Sequence, residues 1–402
     1  MKGIFKLLKN KIFIRYFSAN ILAYIGTNMG LLGINWHLVA ITGSNQILST
    51  YSAITVLTTI ISSLFIGGIV DNHNKSILMK LNNILQGIMI LFVFWLLTIK
   101  NISFYVIYFM AVINSFGHAL FVTASKGILQ DIITNTEDLI HGNSINEICL
   151  QIGAIIASCL TGVLYAIWGF SLLIVIMVVS LFLSGFAMKY IKKSNAEKNK
   201  IKEKIKFSEL FLNKKIVIIG FLAFLPYVVT LLSNNVLPGY VNEYLQSSSS
   251  VYGIADMMYG IGALIAGFIV SSNFNFKKIN KEVALFFFSI ISLFILTFNK
   301  NILILFFCYF FFGLSNTGLK ICLNTLFMKT VPNEIYGKSY SFMNSVVSTL
   351  QIVMLLLIGK VLDLYGAAVG YLILSTIMFL GAIIYSSIKK QLINLNYLKR
   401  ER

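Results

Sequence analysis

The sequence predicts an all-α membrane protein, with twelve transmembrane helices in two pseudo-symmetric six-helix bundles. Composition is the first reason. The 402-residue chain is 57% hydrophobic and only 11% charged, with a mean hydropathy of +0.84, whereas soluble proteins carry about a quarter charged residues. The second is that apolar runs near the ~20 residues needed to cross a bilayer recur along the whole length. The third is that Lys and Arg gather in every other connection between those runs, the pattern that orients helices in a membrane.

A basic flank from Met1 to Arg15 leads into the first span, 13–38. This apolar stretch exceeds a signal-peptide core and lacks a cleavage site, so it reads as a retained helix. Thr42-Gly43-Ser44 precedes the second span, 46–70, and the third and fourth are 77–98 and 102–125. Gly142-Asn143-Ser144 introduces the fifth, 143–165, and Trp168-Gly169-Phe170 opens the sixth, 168–188. The later spans are 216–240, 250–271, 283–299, 301–327, 339–360 and 366–387. The phenylalanine-rich stretch 284–312 holds parts of two of them, because one helix of that length would overshoot the bilayer and Asn299-Lys300-Asn301 interrupts it.

Twelve is even, so both ends share a side. With that count, 27 basic residues fall on the side of the termini and three (Lys100, Lys300 and Lys360) on the other. The positive-inside rule then makes both termini cytoplasmic, in the cell membrane of an expected bacterial source. The expected domains are an N-terminal six-helix bundle (1–188), a basic cytoplasmic linker (189–215), and a C-terminal six-helix bundle with its tail (216–402). The linker holds ten Lys and three Glu and reads as a solvated charge run near anionic headgroups.

The halves echo each other. Gly142-Asn143-Ser144 before the fifth span corresponds to Gly337-Lys338-Ser339 before the eleventh, and Trp168-Gly169-Phe170 after the fifth to Tyr365-Gly366-Ala367 after the eleventh. Such a repeat about an axis along the membrane normal is a transporter design, with the substrate held near the midplane. Polar residues inside the spans agree, since they are costly in lipid and line interiors or cavities. The cavity candidates are Asn28, Asn114, Gln151, Asn234, Asn235, Asn316, Lys320, Asn344 and Gln351; the third helix adds Asn82, Asn83 and Gln86 toward its cytoplasmic end. Helices 6, 9 and 12 have no charged or amide side chain in their cores and are expected against lipid.

Several classes drop out. The net charge of +18 comes from basic residues set between apolar runs, so topology explains it and no nucleic-acid partner is expected. Cys149, Cys159, Cys308 and Cys322 lie within apolar stretches without a C-x-x-C pair, which argues against a disulfide framework or a metal site. Tyr336-Gly337-Lys338-Ser339 imitates the end of a phosphate loop, but Pro332 stands where its first glycine belongs. No catalytic motif or cofactor-binding motif appears, so neither enzyme chemistry nor a cofactor is expected. A monomer is expected.

Gly67-x-x-x-Asp71-x-x-x-Lys75, together with the twelve-span pattern, resembles the major facilitator superfamily over essentially the whole chain. Thr42-Gly43-Ser44 and the run from Asn235-Val236-Leu237-Pro238 through Tyr252-Gly253 to Gly260-Ile261-Gly262 resemble its bacterial drug, macrolide and siderophore exporters. The loop signature departs from the family at Asn72, Asn74 and Ser76. The small-residue stretch Gly153-Ala154-Ile155-Ile156-Ala157-Ser158 stands where the antiporter branch carries a Gly-Pro pair, and here it also reads as ordinary close helix packing. The resemblance implies a secondary active transporter, with proton-coupled export of an amphipathic small molecule by alternating access as the leading expectation. A nutrient or peptide importer is the runner-up, and a non-transporting membrane enzyme or sensor is the alternative from another class.

The same resemblance implies a cytoplasmic gate at Gly67, Asp71 and Lys75, although Asp71 also suits a helix cap. Proton coupling requires a group whose charge biases two states. Asp256, about two turns into the eighth helix, is the first candidate, because a carboxylate there is costly to keep without a function. Glu147 is the second, or else a complement to its helix dipole. His118 is a third, or a hydrogen-bonded histidine of the bundle. Lys320 could pair with an acid, repel cationic substrates, or snorkel. Pro226 and Pro238 are hinge candidates, since proline removes a backbone donor.

Overall fold

The structure is a computed structural model and describes residues 11–99, 104–132, 136–188, 214–271, 281–331 and 333–398. All its described elements are helical, as hydrocarbon requires of a backbone that must satisfy its polar groups within each segment. In chain order they are α1 (Lys11–Thr42), α2 (Asn45–Asn72), α3 (Lys75–Ile99), α4 (Phe104–Ile132), α5 and α6 within Thr136–Ala187, and α7 (Lys214–Gly239), extended by a π-turn at Tyr240–Tyr244. Then come α8 (Ser249–Ser271), α9 (Lys281–Phe298), α10 (Ile302–Thr330), α11 (Asn333–Tyr365) and α12 (Ala368–Leu398).

Among the described residues, 11 segments are long and apolar enough to cross a membrane, and one of them, Cys149–Ala187, has 39 residues. Straight, it would measure about 58 Å, nearly twice the ~30 Å hydrocarbon core. It is broken at Gly169, where φ is 71° and ψ is −168°, a backbone region open essentially to glycine alone. The break separates α5 (136–168) from α6 (170–187), so the described chain has the twelve spans expected. Gly366 repeats the device between α11 and α12 with φ 87°. These are the two glycines of the Trp168-Gly169-Phe170 and Tyr365-Gly366-Ala367 echo.

Other boundaries follow from caps. The Ser44 hydroxyl accepts from the Ile47 N–H at the start of α2. At Asn299-Lys300-Asn301 the Asn301 N–H donates to Asn299 Oδ1 (2.9 Å), and Asn301 Oδ1 caps α10 by accepting from Leu303 N–H (2.8 Å). Several helices outrun their predicted spans: α4 continues to Ile132 rather than 125, and α11 runs from Asn333 to Tyr365 rather than 339–360. Helical hydrogen bonding does not stop where the lipid does, and polar residues such as Asp131 ride on the overhang. Lys360, counted above with a connection, therefore lies within α11.

The chain divides into two compact units: Met1–Ile201 with Ser248–Met257, and Lys202–Ser247 with Met258–Arg402. Thus α8 gives its first residues to one unit and the rest to the other. In the first unit α1 lies close to α6. A Cβ on Gly26 would fall 2.5 Å from Ser180 Cβ, and one on Gly33 would fall 2.6 Å from Leu173 Cδ1. Polar ties run through the same core. Asn83 Nδ2 donates to Ser184 Oγ (2.9 Å), which donates to the Ala19 carbonyl (2.7 Å), and Ser125 Oγ donates to Asn20 Oδ1 (2.8 Å).

In the second unit the Tyr240 hydroxyl lies 2.8 and 2.7 Å from the carbonyl oxygens of Leu296 and Asn299, which share its one hydrogen, and the Tyr309 and Tyr371 hydroxyls meet at 2.6 Å. Large apolar side chains stand exposed on α6 (Val179, Leu183, Phe186), α9 (Phe287, Phe294, Phe298) and α12 (Phe379, Leu380, Ile383). Exposed apolar faces of this extent fit lipid rather than water.

Candidate functional site

Asp256 stands in a close helix–helix seam of the first unit. The sequence puts glycine and serine where α5 meets the start of α8, and the backbones approach accordingly. A Cβ on Gly253 would come within 2.5 Å of the Ser158 carbonyl oxygen, and one on Gly162 within 2.5 Å of the Ser249 carbonyl oxygen. Ser249 Oγ donates to the Gly162 carbonyl (2.9 Å). One turn beyond Gly253, Asp256 Oδ2 lies 2.5 Å from Ser158 Oγ, which also lies 2.8 Å from the Ala154 carbonyl oxygen. A hydroxyl has one hydrogen and two lone pairs. Ser158 can therefore donate to an ionised Asp256, or accept from a protonated Asp256 while donating to Ala154.

A second polar feature of the first unit is a cavity of about 120 Å³ whose lining includes Asn28, Tyr51, Gln86, Asn114 and His118. It brings together three of the predicted residues from α1 and α4. Tyr51 OH and Asn114 Nδ2 are buried there without a hydrogen-bond partner in the protein, the condition in which water or a ligand completes a site. Nearby on α1, Trp36 stacks on Tyr252 (5.4 Å), while His37 Nδ1 meets Tyr165 OH (2.8 Å) and its ring stacks on Phe170 (4.1 Å). Sequence reading did not single out His37 or Tyr165. They lie 128 residues apart, and no local pattern joins them.

In the second unit Asn316 is 1% exposed and ties α10 to α7. Its amide nitrogen lies within hydrogen-bond distance of Thr230 Oγ1 (2.7 Å), Tyr259 OH (3.1 Å) and the Pro226 carbonyl (3.2 Å), which share its two hydrogens. Thr230 Oγ1 donates to that same Pro226 carbonyl (2.8 Å). Lys320 lies with Nζ 4.1 Å above the centre of the Tyr227 ring, and Asn324 Nδ2 donates to Tyr227 OH (3.0 Å). Asn235 is buried and donates to the Leu231 carbonyl (2.9 Å). Asn234 and Asn344 are exposed and Gln151 and Gln351 half-buried. Pro226 and Pro238 both lie inside α7. Glu147 is on α5, but its side chain lies outside the described residues, as does 189–213 of the basic linker.

At the α2–α3 connection Lys75 is 6% exposed, and its ammonium is 2.7 Å from both oxygens of Asp131 on α4 and 3.2 Å from the Gly127 carbonyl. The ion pair of the predicted gate thus involves Asp131, which the sequence reading did not name. Asp71 is exposed at the end of α2, and Gly67 faces open space. Asn74 Oδ1 caps α3, accepting from the N–H groups of Ser76 and Ile77 (3.1 Å each). No cluster of three or more His, Cys, Asp or Glu able to hold a metal occurs among the described residues.

Twelve spans with polar side chains gathered inside them define a polytopic helical membrane protein of the transporter class. The profile of the Major Facilitator Superfamily matches residues 16–350, and the chain belongs to that family. It is a membrane transporter and not an enzyme. The chain is 23% identical over 337 residues to the staphyloferrin A transporter of Staphylococcus aureus (strain NCTC 8325 / PS 47), covering 81% of this chain and 83% of that one. Among solved structures it resembles the nucleoside transporter NupG, with TM-score 0.71, 14% identity, and 95% and 100% of the two chains covered. It also resembles a bacterial homologue of the iron transporter ferroportin in its inward-facing state, with TM-score 0.68, 17% identity, and 92% and 99% covered. These structural likenesses concern the fold.

Proposed function

We propose that the protein is a proton-coupled exporter of a small amphipathic molecule, of the siderophore or drug kind, working by alternating access in the cell membrane with both termini cytoplasmic. The relative named for staphyloferrin A supports the substrate class. The observation that carries proton coupling is the pairing of Asp256 with Ser158. The serine accommodates either protonation state of the carboxyl without moving it, so a proton can be taken up and released in a seam too close for bulky groups. A charge appearing in such a seam biases one conformation over another, which is how a bound proton becomes work. In this reading Lys75–Asp131 with Asp71 and Gly67 forms the cytoplasmic gate, Asn28, Asn114 and His118 line part of the substrate path, and α7 bends at Pro226 and Pro238.

Efflux of a panel of siderophores, macrolides and dyes from cells expressing the protein tests this. Extrusion should stop with a protonophore and in Asp256→Asn, while surface expression is unchanged. Extrusion that persists in Asp256→Asn removes that residue from coupling. Protonophore-sensitive accumulation in place of extrusion would make the protein an importer.

A further inference from the structure

The polar cavity of the first unit is graded from a buried floor to an open mouth. Tyr51, Thr55 and Thr59 recur every four residues on α2 and so share one face, and Asn28 of α1 and Asn114 of α4 line the same cavity. Tyr51 (1% exposed) and Gln86 (4%) form the floor, whereas Leu31, Thr59 and His118 are exposed and mark the mouth. Gly117 on α4 makes room for that floor. A Cβ there would fall 2.4 Å from Gln86 Oε1, and the Gln86 amide nitrogen meets Asn114 Oδ1 at 3.5 Å. The cavity measures about 120 Å³, well short of the ~300–1,000 Å³ that a drug-sized molecule fills. It therefore has room for one group of a larger molecule, whose remainder extends through the mouth.

The hydroxyl hydrogens on its wall are engaged by their own helices. Thr27 donates to the Ala23 carbonyl, Thr55 to the Tyr51 carbonyl (3.0 Å) and Ser115 to the Ala111 carbonyl (2.6 Å). Their oxygens keep lone pairs and act as acceptors. Two donors stand out against them. The Tyr51 hydroxyl and the Asn114 amide nitrogen are both buried without a hydrogen-bond partner in the protein, and orphaned donors at that depth call for an acceptor from water or a ligand. Among the described residues no Lys, Arg, Asp or Glu lines the cavity, so a charge entering it would lose its hydration without a partner. Besides Tyr51, the titratable side chain on its wall is His118 at the mouth, and a neutral imidazole both donates and accepts.

We propose that this cavity recognises the transported molecule by an uncharged group with an acceptor oxygen next to an O–H or N–H, an amide or a pair of hydroxyls. The oxygen accepts from Tyr51 and Asn114, and the neighbouring hydrogen goes to the hydroxyl oxygens of the wall. This rests on the transport reading above and adds its selectivity: a neutral head group held within the first unit.

The test uses the full-length protein in lipid nanodiscs and four probes that share a naphthyl body and end in a carboxamide, a 1,2-diol, a carboxylate or an ammonium group. Equilibrium binding is read from naphthyl fluorescence, with empty nanodiscs subtracted. The carboxamide and the diol should bind about tenfold or more tighter than the two ions. Tyr51→Phe and Asn114→Leu should each weaken the neutral probes about threefold or more, with the thermal-unfolding midpoint of Tyr51→Phe unchanged. Equal binding of all four probes, binding of none, or neutral-probe binding unchanged in both variants overturns the proposal; binding of none leaves water as the occupant. Tightest binding of the carboxylate would make a charged His118 the recognition group and overturns it too. Should Asn114→Leu lose stability, Tyr51→Phe alone decides, since it removes one oxygen and leaves the ring in place. Transport is read separately, as carboxamide-dependent loss of an imposed proton gradient in proteoliposomes. Selective binding without that loss keeps the site and removes the transport reading, whereas loss of the gradient with equal binding of all four probes does the reverse.

Discussion

Lys75 and Asp131 are 6% and 10% exposed, so each charge depends on the other. Removing one partner of such a pair leaves a buried charge uncompensated, at a cost of about 3–5 kcal/mol, whereas replacing both with apolar groups is often neutral. Lys75→Met should therefore lower the thermal-unfolding midpoint of the purified protein sharply, and Lys75→Met with Asp131→Leu should recover most of the loss. Equal damage from single and double variants would mean that the pair contributes nothing beyond packing. Tyr51 calls for the opposite expectation. Its hydroxyl is buried and unpartnered, so Tyr51→Phe removes an unmet polar group at little or no cost in stability. A fall in transport with an unchanged midpoint would then assign the cavity to the substrate path, and unchanged transport would assign it to packing. The partner of Lys75 was invisible in the sequence. Asp131 lies 56 residues from Lys75 and beyond the apolar run that defined the fourth span, so hydropathy gave no reason to weigh it. Asp256 was legible for the converse reason, as a carboxylate inside an apolar run stands out by its cost.

Helices were legible wherever polarity interrupted an apolar run. Asn299-Lys300-Asn301 separates α9 from α10 as expected, because its amides cap and close the turn. Helix lengths were less legible: hydropathy measures lipid contact, while backbone hydrogen bonds continue into the overhang, as in α4 and α11. Gly169 is the clearest single point at this scale. With φ 71° and ψ −168°, a side chain there should cost about 1–3 kcal/mol. Gly169→Ala is expected to lower the unfolding midpoint, whereas Ala at Gly67, which faces open space, should shift it far less by backbone strain. In the α5–α8 seam, Gly253→Val would drive a side chain into the Ser158 carbonyl. Overpacking of this kind costs about 1–3 kcal/mol, and the same measurement should register it.

For the whole molecule, an even number of spans and the segregation of basic residues make one firm demand. Green fluorescent protein fused to the C-terminus should fluoresce, and alkaline phosphatase fused there should be inactive. Fusions after Lys100 should give the reverse. An active C-terminal phosphatase would put the C-terminus outside, through either an odd number of crossings or an inverted twelve-span topology. The family and its twelve helices were legible because hydropathy and charge act on every segment independently. Which side chains meet depends on packing between segments far apart in sequence, and so His37 with Tyr165 emerged only in three dimensions. The corner at Gly169 has a mechanical consequence as well. A single residue joins two long helices, so any change in the angle between α5 and α6 has to be absorbed by the two dihedrals of Gly169, while α6 keeps its close fit on α1 at Gly26 and Gly33.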